Sequence, residues 1–150
     1  MSTTLAYRRY ERGMTLIELL TVMAVLAILG TISVSTYRSY LIRTNRTDAR
    51  TTLLRIQVAE EKYFLQNNAY TTEVGPTGLR VSGTAGDTVE TPGGLYKVTV
   101  AAGSTGAIAT SYSASAVAQL GQTKDKAACQ TLTLDDQGKK TPDEATGCWK

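Results

Sequence analysis

The side chain that most constrains the chemistry of this sequence is Glu18, a carboxylate within a long apolar segment. Met14–Val34 spans 21 residues without proline, about 31 Å as an α-helix, and the hydrocarbon core of a membrane is roughly 30 Å thick. A charged side chain at the centre of such a segment costs about 2.5–3.5 kcal/mol, and less near an end. Glu18 therefore either lies at the membrane interface, in contact with water, or has a cationic partner.

A cationic partner for Glu18 would arise if the chain were cut between Gly13 and Met14. The new α-amine of Met14 would lie four residues before Glu18, and positions i and i+4 share one face of a helix. The amine could neutralise the carboxylate in the same chain or, with greater effect, in a neighbouring chain that is already buried. The residues alone leave this interpretation and the interfacial one open.

The rest of the sequence offers little for catalysis. It contains no histidine, which is the commonest catalytic base and metal ligand, and two cysteines alone cannot complete a four-ligand zinc site. Two carboxylate pairs could serve a glycosidase or bind calcium: Asp135-Asp136 and Asp143-Glu144. The first pair, followed by Gly138, is more typical of a hairpin turn. We therefore predict a protein that is not an enzyme and has no cofactor or metal.

The formal charge of +3 is too small to indicate a nucleic-acid partner by itself. The pair Lys139-Lys140 could contact DNA phosphates, but from residue 101 onward five lysines are balanced by five acidic residues. That stretch therefore has no net basic field. A DNA partner is possible but unsupported by the sequence, which identifies no DNA-binding residue.

The string RGMTLIELLTVMAVLAILG, which begins at Arg12, resembles the class III signal and N-terminal helix of type IV pilins. In that family a short basic leader ends in glycine and is removed, the new N-terminus is methylated, and a glutamate four residues on is required for assembly. The resemblance implies a leader over residues 1–13, cleavage between Gly13 and Met14, N-methylation of Met14 and an assembly role for Glu18. It also implies three kinds of partner: prepilin peptidase, the inner-membrane assembly machinery and other pilin subunits.

The helix is predicted to continue beyond the apolar segment as an amphipathic helix to Gln66. Apolar side chains follow helical spacing at Ala49, Leu53, Ile56 and Tyr63. We expect this stripe to be widened by Leu54, Val58 and Phe64. The solvated face is expected at Asp48, Arg55, Glu60, Glu61 and Lys62. Asn67-Asn68 is predicted to end the helix.

Three segments that alternate apolar and polar residues predict strands: Leu95–Ala101, Ala109–Ala118 and Cys129–Leu134. Residues 74–94, with six glycines and two prolines, predict an irregular loop. We therefore predict an α+β pilin fold, with a long N-terminal helix packed on a small antiparallel sheet of three to four strands. Residues 14–36 would form the transmembrane or fibre-core helix, and residues 37–150 the globular head.

Cys129 and Cys148 lie 19 residues apart. In an exported chain an even number of cysteines favours a disulfide, although two buried free thiols would fit the same residues. The segment CQTLTLDDQGKKTPDEATGCW, which ends at Trp149, resembles the disulfide-bounded C-terminus of PilE-type minor pilins. The run EKYFLQNNAYTT resembles the end of their helix and their first loop. The resemblance implies the same bridge here.

Counting basic residues gives a conflicting topology, because three arginines precede the apolar segment and five follow it within residues 38–55. This count would put the C-terminal part in the cytoplasm. The cysteine pair and the resemblance both place that part outside the cytoplasm, and we give them precedence.

These observations predict a structural subunit of a type IV pilus, most like a PilE-type minor pilin, needed for assembly and for pilus-dependent motility, adhesion or DNA uptake. The precursor would lie in the bacterial inner membrane with its head in the periplasm, and the mature subunit in the extracellular pilus. A type II secretion pseudopilin is the alternative within the same class. A signal-anchored membrane protein with a ligand-binding head is the alternative from another class.

Overall fold

The computed structural model describes residues 13–149, except for the side chain of Ser35. The predicted leader, residues 1–13, lies outside the described residues apart from Gly13. The chain divides into two units between Arg38 and Ser39. One helix, α1 (Leu16–Asn67), contributes to both, and we call the unit that starts at Ser39 the head.

Helix α1 begins and ends at residues that supply bonds to its termini. The hydroxyl of Thr15 accepts a hydrogen bond from the backbone N–H of Glu18 at 3.3 Å, as an N-cap residue does. Asn68 follows the helix with φ of 53°, and its N–H donates to the carbonyl of Phe64 at 2.8 Å. Asparagine tolerates this left-handed conformation better than most residues. The predicted end of the helix at Asn67-Asn68 is confirmed.

The head contains a five-stranded antiparallel sheet in which each strand pairs with the next along the chain. The strands are β1 (Thr88–Glu90), β2 (Tyr96–Ala102), β3 (Tyr112–Ala118), β4 (Thr131–Asp135) and β5 (Lys140–Thr141). Val98 and Leu132 both lie opposite Ala116 of the central strand. Alternate residues of β2, β3 and β4 are buried, as in a sheet with one face covered.

One stripe of α1 packs into this buried face. Ala49, Leu53 and Ile56 are fully buried and form one apolar cluster with the inward side chains of the sheet. The central strand contributes small side chains to that cluster, at Ala114, Ala116 and Ala118. The predicted α+β fold, with a long helix on an antiparallel sheet, is confirmed.

The sheet has five strands where the sequence pattern predicts three to four. Strand β1 lies inside residues 74–94, which were expected to be irregular, and β5 follows the turn after β4. These strands have only three and two residues, too few to show an alternating pattern. The strand expected at Cys129 begins at Thr131, because Cys129 ends a short 3₁₀ helix.

Three predictions about the faces of α1 are wrong. Leu54 and Val58, expected to widen the buried stripe, are 45% and 69% exposed. Glu60, expected on the solvated face, is fully buried. It lies four residues after Ile56 and therefore continues the stripe that packs on the sheet.

Both carboxylate pairs of the C-terminal region include a residue that shapes the backbone. Asp135 accepts hydrogen bonds from two N–H groups of the turn between β4 and β5, the shorter from Lys139 at 2.8 Å. Gly138 in that turn has φ of 74°, a region that favours glycine. Asp143 accepts from the N–H of Ala145 at 3.2 Å and caps a short 3₁₀ helix. The prediction of a hairpin turn at Asp135 is confirmed.

A disulfide joins Cys129 to Cys148, and both residues lie in the apolar cluster. The bridge encloses β4 and β5 and ties the C-terminal segment to the core. Beside it, the ammonium group of Lys140 lies 5.7 Å from the ring centroid of Trp149 and 3.1 Å from the carboxylate of Glu144.

Loss of the disulfide is expected to lower the free energy of unfolding by about 3 kcal/mol, because the opened chain gains conformational entropy. The measurement is thermal and urea unfolding of residues 39–150, which contain the whole described core, as the double variant Cys129→Ser, Cys148→Ser. Ala128→Ser, at an exposed neighbouring position, is the control and should melt with the parent. An unchanged melting temperature for the double variant would contradict a stabilising role for the bridge.

Glu60 is a buried carboxylate where α1 meets the loop that follows it. One oxygen accepts from the backbone N–H of Thr71 at 3.2 Å, and the other has no partner among the described residues. Loss of solvation raises the pKa of Glu60 from 4.5 to about 7, opposed by the bond from Thr71 and reinforced by the charge of Glu61. The folded head therefore holds a proton on Glu60 at pH values where the unfolded chain does not.

This raised pKa predicts that the head loses stability as pH rises. Between pH 4.5 and 7 the unfolded chain has released the Glu60 proton and the folded chain keeps it, so the free energy of unfolding falls, by about 3 kcal/mol in all. Glu60→Gln should remove this slope in urea unfolding of residues 39–150. The control Glu61→Gln, at an exposed carboxylate, should keep most of it. If the free energy of unfolding had the same dependence on pH in Glu60→Gln and in the parent, Glu60 would be ionised in the folded head.

Candidate assembly helix and loop interface

The first candidate site is the N-terminal half of α1, where large apolar side chains face outward on every side. Over residues 16–34 their exposed fractions run from 49% at Val22 to 82% at Leu16. This part of the helix is long and apolar enough to cross a membrane. Such a surface is stable where lipid or other apolar helices replace water, so the helix requires one of these two surroundings.

Threonine hydroxyl groups in this half are bonded within the helix. Thr21 donates to the carbonyl of Glu18 and Thr31 donates to that of Ile28, each at 2.8 Å. These bonds reduce the cost of placing hydroxyl groups in an apolar medium. Glu18 is the only charged side chain of Met14–Val34.

Glu18 lies exposed in the first turn of α1. A negative charge is favoured there by the helix dipole. Glu18 follows Thr15 at the spacing of a capping box, which is a sequence signal for the start of a helix. Gly13 and Met14 directly precede the helix and are exposed. The structure thus places all three residues at one helix start, while cleavage, methylation and assembly there remain predictions.

The second candidate site is the loop of residues 119–130, between β3 and β4, which a buried ion pair holds against α1. Nε of Arg46 donates to Oδ2 of Asp125 at 2.6 Å, and Nη2 donates to the other carboxylate oxygen. The two side chains are 7% and 2% exposed. The hydrogen bond to Asp125 raises the pKa of Arg46. This two-point contact fixes orientation as well as distance.

Gln122 adds further bonds between the same loop and α1. Its amide donates to the carbonyl of Ile42 at 2.9 Å and to the hydroxyl of Tyr96 at 3.1 Å, and accepts from Asn45 at 3.2 Å. Within the loop, Gln130 donates to two backbone carbonyls. These bonds preorganise the loop.

The ion pair changes the charge that this loop presents to solvent. Lys124 and Lys126 flank Asp125 and are exposed, but the Asp125 carboxylate is already neutralised by Arg46. In the part of the chain that the structure describes, neither lysine has an ion-pair partner. The two ammonium groups are therefore left for an anionic partner from outside.

Neither Arg46 nor Asp125 was identified from the sequence as a functional residue. The sequence of α1 does contain a signal that Arg46 is buried. Arg46 lies three residues before Ala49 and Glu60 lies four after Ile56, so both continue the spacing of the buried stripe. A charged side chain in line with an apolar stripe requires a buried polar partner. The loop sequence carries no comparable signal for Asp125.

Comparison with known proteins identifies two parts of the chain. Residues 35–133 match the family described as type IV minor pilin ComP, DNA uptake sequence receptor, and residues 8–34 match the prokaryotic N-terminal methylation motif. The type IV major pilin protein PilA of Myxococcus xanthus is 33% identical over 86 residues, which are 51% of this chain and 39% of PilA. The chain therefore spans well under half the length of that relative.

A solved structure of a type IV pilin from Shewanella oneidensis has a TM-score of 0.51 and 23% identity, over 73% of this chain and 98% of that chain. This likeness shows the fold. The ComP match covers most of the chain, and the methylation motif covers the apolar start of α1. With the long helix, the sheet and both matches in agreement, the chain belongs to the type IV pilin family, which consists of structural subunits, and it matches the ComP minor pilins within that family.

Proposed function

We propose that this chain is a minor subunit of a type IV pilus, made as an inner-membrane precursor with its head in the periplasm and then moved into the extracellular fibre. The observation that carries the proposal is the exposed apolar half of α1. Its backbone is paired within the helix, so lipid and neighbouring helices are nearly equivalent surroundings for it. Transfer from the membrane to the fibre then has a small free-energy cost.

The start of α1 supports processing of the pilin type. A prepilin peptidase would remove residues 1–13 by cutting after Gly13 and would then methylate the amine of Met14. Residues 14–36 would form the membrane or fibre-core segment, and residues 37–150, which include the head, would form the globular part. The match to minor pilins favours a pilus over a type II secretion pseudopilus, and favours both over a signal-anchored ligand-binding protein.

Glu18 would fix the axial position of each subunit in the fibre. An unpaired carboxylate in an apolar core is penalised, and the penalty falls when a cation reaches it. The α-amine of a neighbour's Met14 would be that cation. Axial positions that separate the two charges would be disfavoured, so the pair would select one register.

Glu18→Val is expected to enter the membrane and be cleaved normally, but to reach the pilus about tenfold less often, because the neighbour's amine loses its partner. The measurement is the variant's abundance in sheared pili, with intact mass showing loss of residues 1–13 and gain of one methyl group. The control Thr21→Val removes a hydroxyl group that bonds within the helix and should incorporate normally. Normal incorporation of Glu18→Val would contradict the register role. An uncleaved, unmethylated parent would contradict pilin-type processing.

DNA uptake is the pilus function favoured by the loop of residues 119–130. The matched family is described as a DNA uptake sequence receptor, and this loop presents Lys124 and Lys126 without paired carboxylates. Because the Arg46–Asp125 pair holds the loop on α1, the backbone that carries the two lysines is held in place while their ammonium groups remain free to reach a partner. Two lysines so close together in the chain can contact successive phosphates of a DNA backbone. We therefore place the DNA contact at this loop, in contrast to the sequence alone, which supported no DNA partner.

Lys124→Ala with Lys126→Ala is expected to weaken duplex DNA binding and to reduce the slope of log affinity against log salt by about 1 for each lysine that would otherwise neutralise a phosphate. The measurement is fluorescence anisotropy with the full chain in detergent over a series of salt concentrations. Lys97→Ala with Lys139→Ala removes two other exposed lysines and should leave the slope unchanged. Equal slopes for the two double variants would argue against a DNA contact at this loop.

A further inference from the structure

A groove of about 870 Å³ lies on the head between α1 and residues 77–81 of the loop that follows it. Leu54 and Val58 line its helix wall, and Leu79 and Val81 line its loop wall. Leu54 and Val58 are absent from the apolar cluster on the sheet, so folding of the head does not explain them. An apolar surface left open in this way is typical of an interaction site.

The same groove is cationic. Arg55, Lys62 and Arg80 line it, and no aspartate or glutamate does. All three side chains are exposed, and across residues 13–149 none of them has an ion-pair partner. We call this surface the cationic groove. It is suited to a partner that carries carboxylates.

The loop wall of the cationic groove is rigidly built. Arg80 has φ of 57°, an unfavourable value for a residue with a side chain. Glu73 holds the loop from inside, because its carboxylate accepts from the N–H groups of Gly75 and Gly86, each at 2.9 Å. A Cβ at Gly78 would lie 2.0 Å from the carbonyl oxygen of Glu73. No residue other than glycine therefore fits at position 78 with this backbone. These constraints hold Arg80 at the groove.

The head carries a complementary pair of carboxylates beside the cationic groove. Of the exposed carboxylates in residues 39–149, Asp87 and Glu90 are the two without a hydrogen bond or ion pair, whereas the others have partners. Asp87 directly precedes the edge strand β1, and Glu90 is the last residue of that strand. Lys97 lies opposite Glu90 in the register but forms no ion pair with it. Val81 lines both the cationic groove and a second groove that Glu90 and Lys97 line, so the two charged surfaces adjoin.

We propose that two copies of this chain bind each other through these surfaces, with the cationic groove of each receiving the Asp87–Glu90 segment of the other. A two-fold contact brings one surface against the same surface of a second copy, and it needs adjacent, complementary charges on that surface. Three unpaired cations beside two unpaired carboxylates meet this requirement. A DNA backbone would match the cations but would be repelled by the two carboxylates beside them.

The test replaces Val58 with the photo-cross-linking residue p-benzoylphenylalanine in the full chain in its native membrane. Illumination should give a dimer in which position 58 is joined to residues 87–92 of a second copy, identified by mass spectrometry. Arg80→Glu in this chain should lower the dimer yield about tenfold through repulsion, and Arg80→Glu with Glu90→Arg should restore it. The same photo-cross-linker in place of Thr47, exposed on α1 outside the groove, should give no dimer.

An adduct of position 58 with another protein or with nucleic acid, or no adduct, would overturn the proposal. A charge-swapped variant no better than Arg80→Glu would also overturn it. Arg80 and Glu90 are exposed, and unfolding midpoints equal to the parent's would show that the substitutions preserve the head. The proposal does not rest on pilus incorporation or DNA binding, because the dimer is expected from uncleaved chains as well.

Discussion

Helix α1 is fixed on the sheet by a stripe that is apolar in the middle and has a buried, ionisable side chain at each end. The apolar contact alone would tolerate displacement of the helix along its axis. Arg46 and Glu60 remove this freedom, since Arg46 pairs with Asp125 in the loop between β3 and β4, and Glu60 accepts the N–H of Thr71 in the loop after the helix. Displacement by one turn would separate Arg46 and Asp125 and leave both charges unpaired, which costs several kcal/mol in a protein interior. The placement of the helix and of both loops therefore depends on the same two polar contacts.

These buried contacts also determine which charges remain on the surface. Arg46 neutralises Asp125, so the loop between β3 and β4 presents lysines without a compensating carboxylate. On the opposite side of α1, Arg55 and Lys62 have no ion-pair partner in the described chain, and Val58 contributes nothing to the apolar cluster. The net charge of +3 does not reveal these cationic surfaces. Basic and acidic residues nearly balance in number, but the fold places them in different parts of the molecule. Both proposed binding surfaces follow from that separation.

The parts of the fold that could be predicted from the sequence are those with a local signal. An uninterrupted apolar segment predicts a helix, and Asp135 followed by Gly138 predicts a turn. The parts that could not be predicted depend on pairing between distant segments. Strand β1 has three residues and is a strand because β2 lies beside it, and the spacing that aligns Glu60 with the buried stripe does not identify its partner, the N–H of Thr71. Asp125 is the clearest case, since it pairs with Arg46, 79 residues away. The proposed cleavage and assembly residues were recognised by motif, whereas the loop lysines became candidates through this long-range pair.

The N-terminal half of α1 exposes apolar side chains, whereas the C-terminal half packs on the sheet of the head. The two halves share no packing contacts in the described apolar cluster. Every residue of the described apolar cluster lies at Ala49 or later in the chain, so the core of the head takes no side chain from residues 13–38. In the proposed assembly, exchange of lipid for neighbouring helices around the N-terminal half would leave the interior of the head unchanged. The charged group for which these surroundings would differ is Glu18, because lipid tails offer no cation and a fibre of processed subunits would offer the α-amines of Met14. The apolar side chains would then allow transfer out of the membrane, and the pairing of the carboxylate would favour the fibre over the membrane.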